Sequence, residues 1–117
     1  MAAGQYDIYI EQGATFTREI EWLQSDNTTP VDLTGYTARM QVRKTAKSPI
    51  VVADLSTANG KISLTPALGK IKLMLTATET ASLKDGEYVY DLELQSGTGV
   101  VERLLQGTFT INAEVTR

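Results

Sequence analysis

Apolar and polar side chains alternate one for one along most of this chain, and a period of two dictates strands. From Tyr36 to Arg43, Tyr36, Ala38, Met40 and Val42 fall on one side, with Thr37, Arg39, Gln41 and Arg43 on the other. Successive side chains of a pleated backbone point to opposite faces, so such a run makes one buried and one wet sheet face. Residues 5–11 repeat the rhythm with Tyr6, Ile8 and Ile10 against Asp7, Tyr9 and Glu11. Residues 14–24 follow with Phe16, Ile20 and Trp22 in phase, and residues 70–76 with Ile71, Leu73 and Leu75. Residues 87–95 place Tyr88, Tyr90, Leu92 and Leu94 together, and residues 100–113 do the same for Leu105, Phe109 and Ile111. Arg18 sits on an apolar phase, so it is expected near a sheet edge with its head in solvent.

Turn chemistry punctuates these runs. Residues 25–30 combine short polar side chains with Pro30, and residues 44–49 make a polar, basic loop. The β-branched run at residues 50–55 reads as a strand, and Asn59-Gly60 after it as a hairpin turn, because both residues tolerate positive φ. Ile62 and Leu64 share a face before a break at residues 66–69. Thr76 and Glu79 form a capping-box pattern that predicts a short helix over 77–83, with Ala77, Ala81 and Leu83 inward and Asp85-Gly86 as its stop. Gly97-Thr98-Gly99 predicts another hairpin, and Gly107 a bulge or a close backbone approach. About seven to eight short strands, one short helix and frequent turns predict an all-β antiparallel sandwich, with a partly closed barrel as the alternative.

The 117 residues suit a single domain, residues 1–117, with 42% apolar and 21% charged side chains. A net charge of -3, from 11 basic and 14 acidic residues, argues against nucleic acid or an anionic membrane as partner. No apolar stretch approaches the roughly 20 residues that span a bilayer. The opening Met1-Ala2-Ala3-Gly4-Gln5 lacks the basic and apolar regions of a secretory signal, so synthesis and folding in a cytoplasm are expected.

The chain contains neither histidine nor cysteine. That removes Ser-His-Asp and Cys-His catalysis, the common zinc sites and any dependence on redox compartment. Asp91 and Glu93 share a strand face, as do Glu19 and Glu21, and a glycosidase could use such a pair. Alternation with Tyr90, Leu92 and Leu94 already explains their placement as a solvated face with Lys or Arg across from them. Asp26, Asn27 and Asp32 lack calcium-loop spacing, and no glycine-rich phosphate loop precedes a helix. No cofactor is therefore expected, and the chain is read as a non-enzyme. Arg39, Arg43, Lys44 and Lys47 are the one basic concentration, and a protein-contacting face is their expected use. Trp22 is expected to pack on the core; a sugar-binding platform would need Trp22, Tyr9 or Tyr36 exposed together.

Leu83-Lys84-Asp85-Gly86-Glu87-Tyr88-Val89-Tyr90 resembles the Asp-x-Gly-x-Tyr-x-Cys corner of immunoglobulin-like domains, with Tyr90 where the cysteine would stand. The resemblance implies immunoglobulin-like topology and a structural role for Tyr88, whose hydroxyl would bond back to upstream backbone. It departs from that family in lacking the disulfide and in the position of Trp22.

A second resemblance covers nearly the whole chain. Asp32-Leu33-Thr34-Gly35-Tyr36-Thr37-Ala38-Arg39-Met40-Gln41-Val42-Arg43 is similar to a segment of small β-sandwich virion proteins of tailed bacteriophages, the N-terminal domain of baseplate upper proteins among them. Residues 6–16, Tyr88-Val89-Tyr90-Asp91-Leu92-Glu93-Leu94 and Leu104-Leu105-Gln106-Gly107-Thr108-Phe109-Thr110-Ile111 extend the match. It implies a non-enzymatic structural part of a tail, baseplate, neck or fibre-attachment region, assembled in the host cytoplasm and located in the virion. The implied partners are other virion proteins and symmetric copies of the chain itself. Strand edges suit such assembly, and the last strand is expected to leave one near Thr116-Arg117. The alternative function is a carbohydrate- or cell-surface-binding β-sandwich module.

Overall fold

The structure, a computed structural model, describes residues 4–116. Strands form along the predicted runs, with the one expected over 5–11 divided in two and the one over 50–55 moved to 53–56: Gly4–Gln5 (β1), Ile8–Glu11 (β2), Phe16–Glu21 (β3), Thr37–Arg43 (β4), Ala53–Ser56 (β5), Ile62–Thr65 (β6), Lys70–Leu75 (β7), Gly86–Gln95 (β8) and Val101–Asn112 (β9). The larger sheet runs β1-β9-β8-β4-β5, with β2 continuing the first strand along β9, and the smaller sheet runs β3-β7-β6. Pairing is antiparallel except where β1 and β2 lie parallel to β9. The inward phases of both sheets close one core, in which Ile10, Val42, Leu55, Ile71, Leu73, Leu92, Leu94 and Phe109 are sealed from solvent. Burying each such side chain contributes about 1.5–3 kcal/mol, so the sandwich needs no crosslink.

The order is that of an immunoglobulin-like sandwich. β3, β7 and β6 stand for the B-E-D strands, and β9, β8 and β4 for G-F-C, extended by β5. The tyrosine corner forms as the resemblance implies: the buried Tyr88 hydroxyl donates to the Lys84 carbonyl at 2.7 Å. Tyr90, in the cysteine's place, is buried and donates its hydroxyl to the Tyr6 carbonyl, between β1 and β2. Gly107, opposite Tyr90 on β9, makes that reach possible, because a Cβ there would stand 2.3 Å from the Tyr6 oxygen. Sequence had offered Gly107 as a bulge or a close approach. It is the close approach, and the bulge lies at Leu104, between the pairs Leu92–Leu105 and Glu93–Arg103.

The capping box forms over a helix at Ala77–Ala81 (α1), with the Glu79 N–H donating to the Thr76 hydroxyl and the Thr76 N–H to the Glu79 carboxylate. Its buried side is not the expected one. Ala81 is exposed, Ala77 and Leu83 are half-buried, and Thr80 is sealed. The Thr80 hydroxyl accepts the Gly13 N–H at 3.0 Å and donates to the Ala14 carbonyl at 2.9 Å, so a polar residue satisfies the turn between β2 and β3.

Three further expectations need correction. The 50–55 run pairs only from Ala53; Ile50 and Val51 stay exposed on the loop before β5. Asn59-Gly60 makes a turn but no hairpin, since β5 and β6 belong to different sheets and the chain crosses between them there. The Asn59 side chain holds the crossing, accepting from the Ser56 and Lys61 N–H groups and donating to the Asp54 carbonyl. Finally, the edge expected near Thr116-Arg117 does not form there: β9 stops at Asn112, where it is paired on both sides, and Arg117 lies outside the described residues. The edges belong instead to the first strand, β3, β5 and β6. Arg18 stands on the edge strand β3, exposed as expected, with its guanidinium 6.0 Å from the Tyr6 ring centre. A charge on the inward phase of an edge strand discourages that edge from adding a further strand.

Candidate functional site: the outer face of the larger sheet

Strand alternation turns Thr37, Arg39, Gln41 and Arg43 of β4 outward, together with Val89, Asp91 and Glu93 of β8 and Gln106 and Thr108 of β9. Register sets these residues in rows across the sheet. One row reads Gln5, Gln106, Asp91, Gln41, Asp54 from edge to edge; the next reads Arg103, Glu93, Arg39, Ser56. The centre of this face is an open trough of about 660 Å³, lined by Gln5, Arg39, Gln41, Asp91, Glu93 and Arg103 among others.

Its charges are interlocked. Arg39 Nε lies 3.1 Å from Glu93 Oε1, and Arg103 Nε lies 3.3 Å from Asp91 Oδ2. Opposite charges in cross-strand neighbours stabilise a sheet modestly. Asp91 and Glu93 therefore carry the solvated-face role read from sequence, Glu93 with Arg39 across from it and Asp91 with Arg103 on the diagonal. Glu19 on the other sheet does likewise, 3.5 Å from Lys70 Nζ. At the rim, Asp7 accepts the Thr108 N–H at 3.1 Å, and that bond holds its carboxyl below the usual aspartate range.

The four basic residues singled out by sequence do not form one cluster. Arg39 and Arg43 line the trough. Arg43 is held by its own neighbours, donating to the Ser48 carbonyl at 2.7 Å and to the Gln41 side-chain oxygen at 2.8 Å. Lys44 leaves the face, donating to the Glu87 carbonyl at 3.1 Å with its ammonium 5.0 Å from the Tyr88 ring centre. Lys47 is exposed on the loop between β4 and β5. Sequence reading missed Arg103, Gln106 and Gln5. Gln106 is legible as the outward phase of β9, but Arg103 is not, because the bulge at Leu104 shifts the phase before it.

Trp22 packs half-buried against the core, as expected. Its ring meets that of Tyr36 edge to face, 6.1 Å apart at 89°, so the two do not present coplanar rings. Tyr9 is 60% exposed on the outer side of the first strand. Among the described residues no group of three or more acidic side chains gathers as metal ligands do. The Asp26 carboxylate is occupied within its own turn, accepting from Thr28 and Thr29, and the Thr29 hydroxyl foremost holds its carboxyl low.

No protein-family model matches this chain, and no curated protein matches it either.

Proposed function

We propose that this chain is a non-enzymatic structural component of a tailed-phage virion, in the tail, baseplate, neck or fibre-attachment region. It acts through contacts with other virion proteins and with copies of itself, after assembly in the host cytoplasm. The observation that carries this reading is the outer face of the larger sheet, where interlocked Arg39–Glu93 and Arg103–Asp91 pairs hold a broad array of donors and acceptors in place. A face patterned in opposite charges sets the orientation and register of a protein partner, because mismatched charges are penalised. The whole-chain resemblance to phage β-sandwich proteins supports the same reading. Mass spectrometry of purified particles from cells carrying this gene tests it. The chain should appear in multiple copies per particle, and its absence from mature particles overturns the proposal.

A further inference from the structure

We infer that copies of this chain associate head to tail, with the loop between β4 and β5 of one copy seated on the opposite pole of the next. The inference rests on the assembly reading above and names the two surfaces that would meet.

The first surface is the loop at residues 44–52. It carries Lys44 and Lys47 with no acidic residue, and Ile50 is 69% exposed beside the partly exposed Val51. Such a tip would ordinarily be mobile, but this one is tied down. Arg43 donates to the Ser48 carbonyl, Ser48 N–H to the Thr45 carbonyl at 3.1 Å, and Ile50 N–H to the Ser48 hydroxyl at 3.3 Å. A pre-ordered loop loses little freedom on docking.

The second surface is built where three loops converge. Residues 22–36 meet residues 66–69 through the Leu33 N–H and the Pro66 carbonyl, 3.0 Å apart, and approach residues 96–102 at Gly97, where a Cβ would stand 3.5 Å from the Gly35 carbonyl. These three segments contain Asp26, Asp32 and Glu102 and no lysine or arginine. They also expose Leu68, Val100 and Val101, at 48%, 57% and 47%. The loop thus offers apolar residues with the positive charge of Lys47, Lys44 being drawn back onto Glu87 and Tyr88, and the opposite pole offers apolar residues with negative charge.

Register keeps the two surfaces apart. Arg43, where the basic loop begins, pairs with Val89, while Thr37 at the other end of β4 pairs with Gln95, which pairs with Val101. Six residue-to-residue steps separate those ends, on the order of 20 Å, so one copy cannot satisfy both surfaces by itself. A contact between unlike surfaces leaves one of each free on the resulting pair, and repetition gives a ring or an open stack.

Sedimentation velocity on the full chain, from about 1 μM to about 1 mM, tests the inference. The weight-average sedimentation coefficient should rise with concentration and fall back in high salt, which screens the charges. Lys47→Glu and Glu102→Lys should each sediment as monomers, because each sets like charges against each other. Mixing the two variants should restore association, since every junction between them is again complementary. Circular dichroism of each variant establishes that it remains folded. A wild type that stays monomeric throughout overturns the inference. So does a wild type that associates while both variants do the same, and that second result leaves the assembly reading standing through another surface.

Discussion

Gly107 has no side chain because the Tyr6 carbonyl occupies the place where one would begin. The Tyr90 hydroxyl crosses the same gap, so three residues on three neighbouring strand segments depend on one missing methyl group. Gly107→Ala should cost about 1–3 kcal/mol, since backbone rather than a flexible side-chain end must move to admit the Cβ. Urea denaturation measures this, and a loss within experimental error of zero would mean that the first strand is not held where the structure places it. Sequence reading flagged Gly107 and Tyr88 correctly and put Tyr90 on the inward face in the place of an absent cysteine, but gave its hydroxyl no partner. Its hydrogen-bond partner lies 84 positions away, beyond any local pattern. Arg18 was legible in full, because a charge on an apolar phase is tolerated at an edge and nowhere deeper.

At the level of elements, local chemistry proved readable and partnership did not. The capping box of α1 was written in Thr76 and Glu79, and Thr76→Ala should lower stability by about 1 kcal/mol, as loss of a cap does. Thermal unfolding followed by circular dichroism checks this, and an unchanged midpoint would remove the cap from the account. The helix's buried residue was misread, because Thr80 looks like a surface residue until the turn at Gly13 and Ala14 is brought against it. Asn59-Gly60 shows the same limit. Its side-chain and backbone preferences make a turn wherever it occurs, but whether the flanking strands pair depends on which sheet has room for each. The β-branched residues at 50–52 are strand formers by type, yet β4 and Ser48 hold that stretch in a loop.

For the molecule as a whole, acid should be a common weakness. Asp7, Asp26, Asp32 and Glu79 all have carboxyls held below their ordinary values, chiefly by Thr108 N–H, the Thr29 hydroxyl, the Thr34 hydroxyl and Thr76 N–H in turn. A lowered folded-state value means the unfolded chain takes up protons first. The stabilisation is therefore complete above the unfolded values, 3.8 for the aspartates and 4.5 for the glutamate, and is lost as pH falls below them through the lowered ones. Melting temperature should hold steady near neutrality and drop progressively below about pH 4.5. Differential scanning calorimetry across that range checks it, and a flat profile down to pH 2 or so would show these bonds to be absent in solution.

What the amino-acid sequence determined unaided was local: which side of each strand faces the core, where caps and turns fall, and which chemistries its residue types exclude. The neighbours of each strand came from the tertiary structure alone. It laid the first strand parallel to β9, sent β5 and β6 to different sheets, and set Arg103 beside Asp91 across a bulge. The reason is that alternation is a property of one backbone segment, whereas pairing joins N–H and C=O groups that are chemically the same at nearly every residue. Closure of a shared core selects among those pairings, and the composition of the trough follows from that selection.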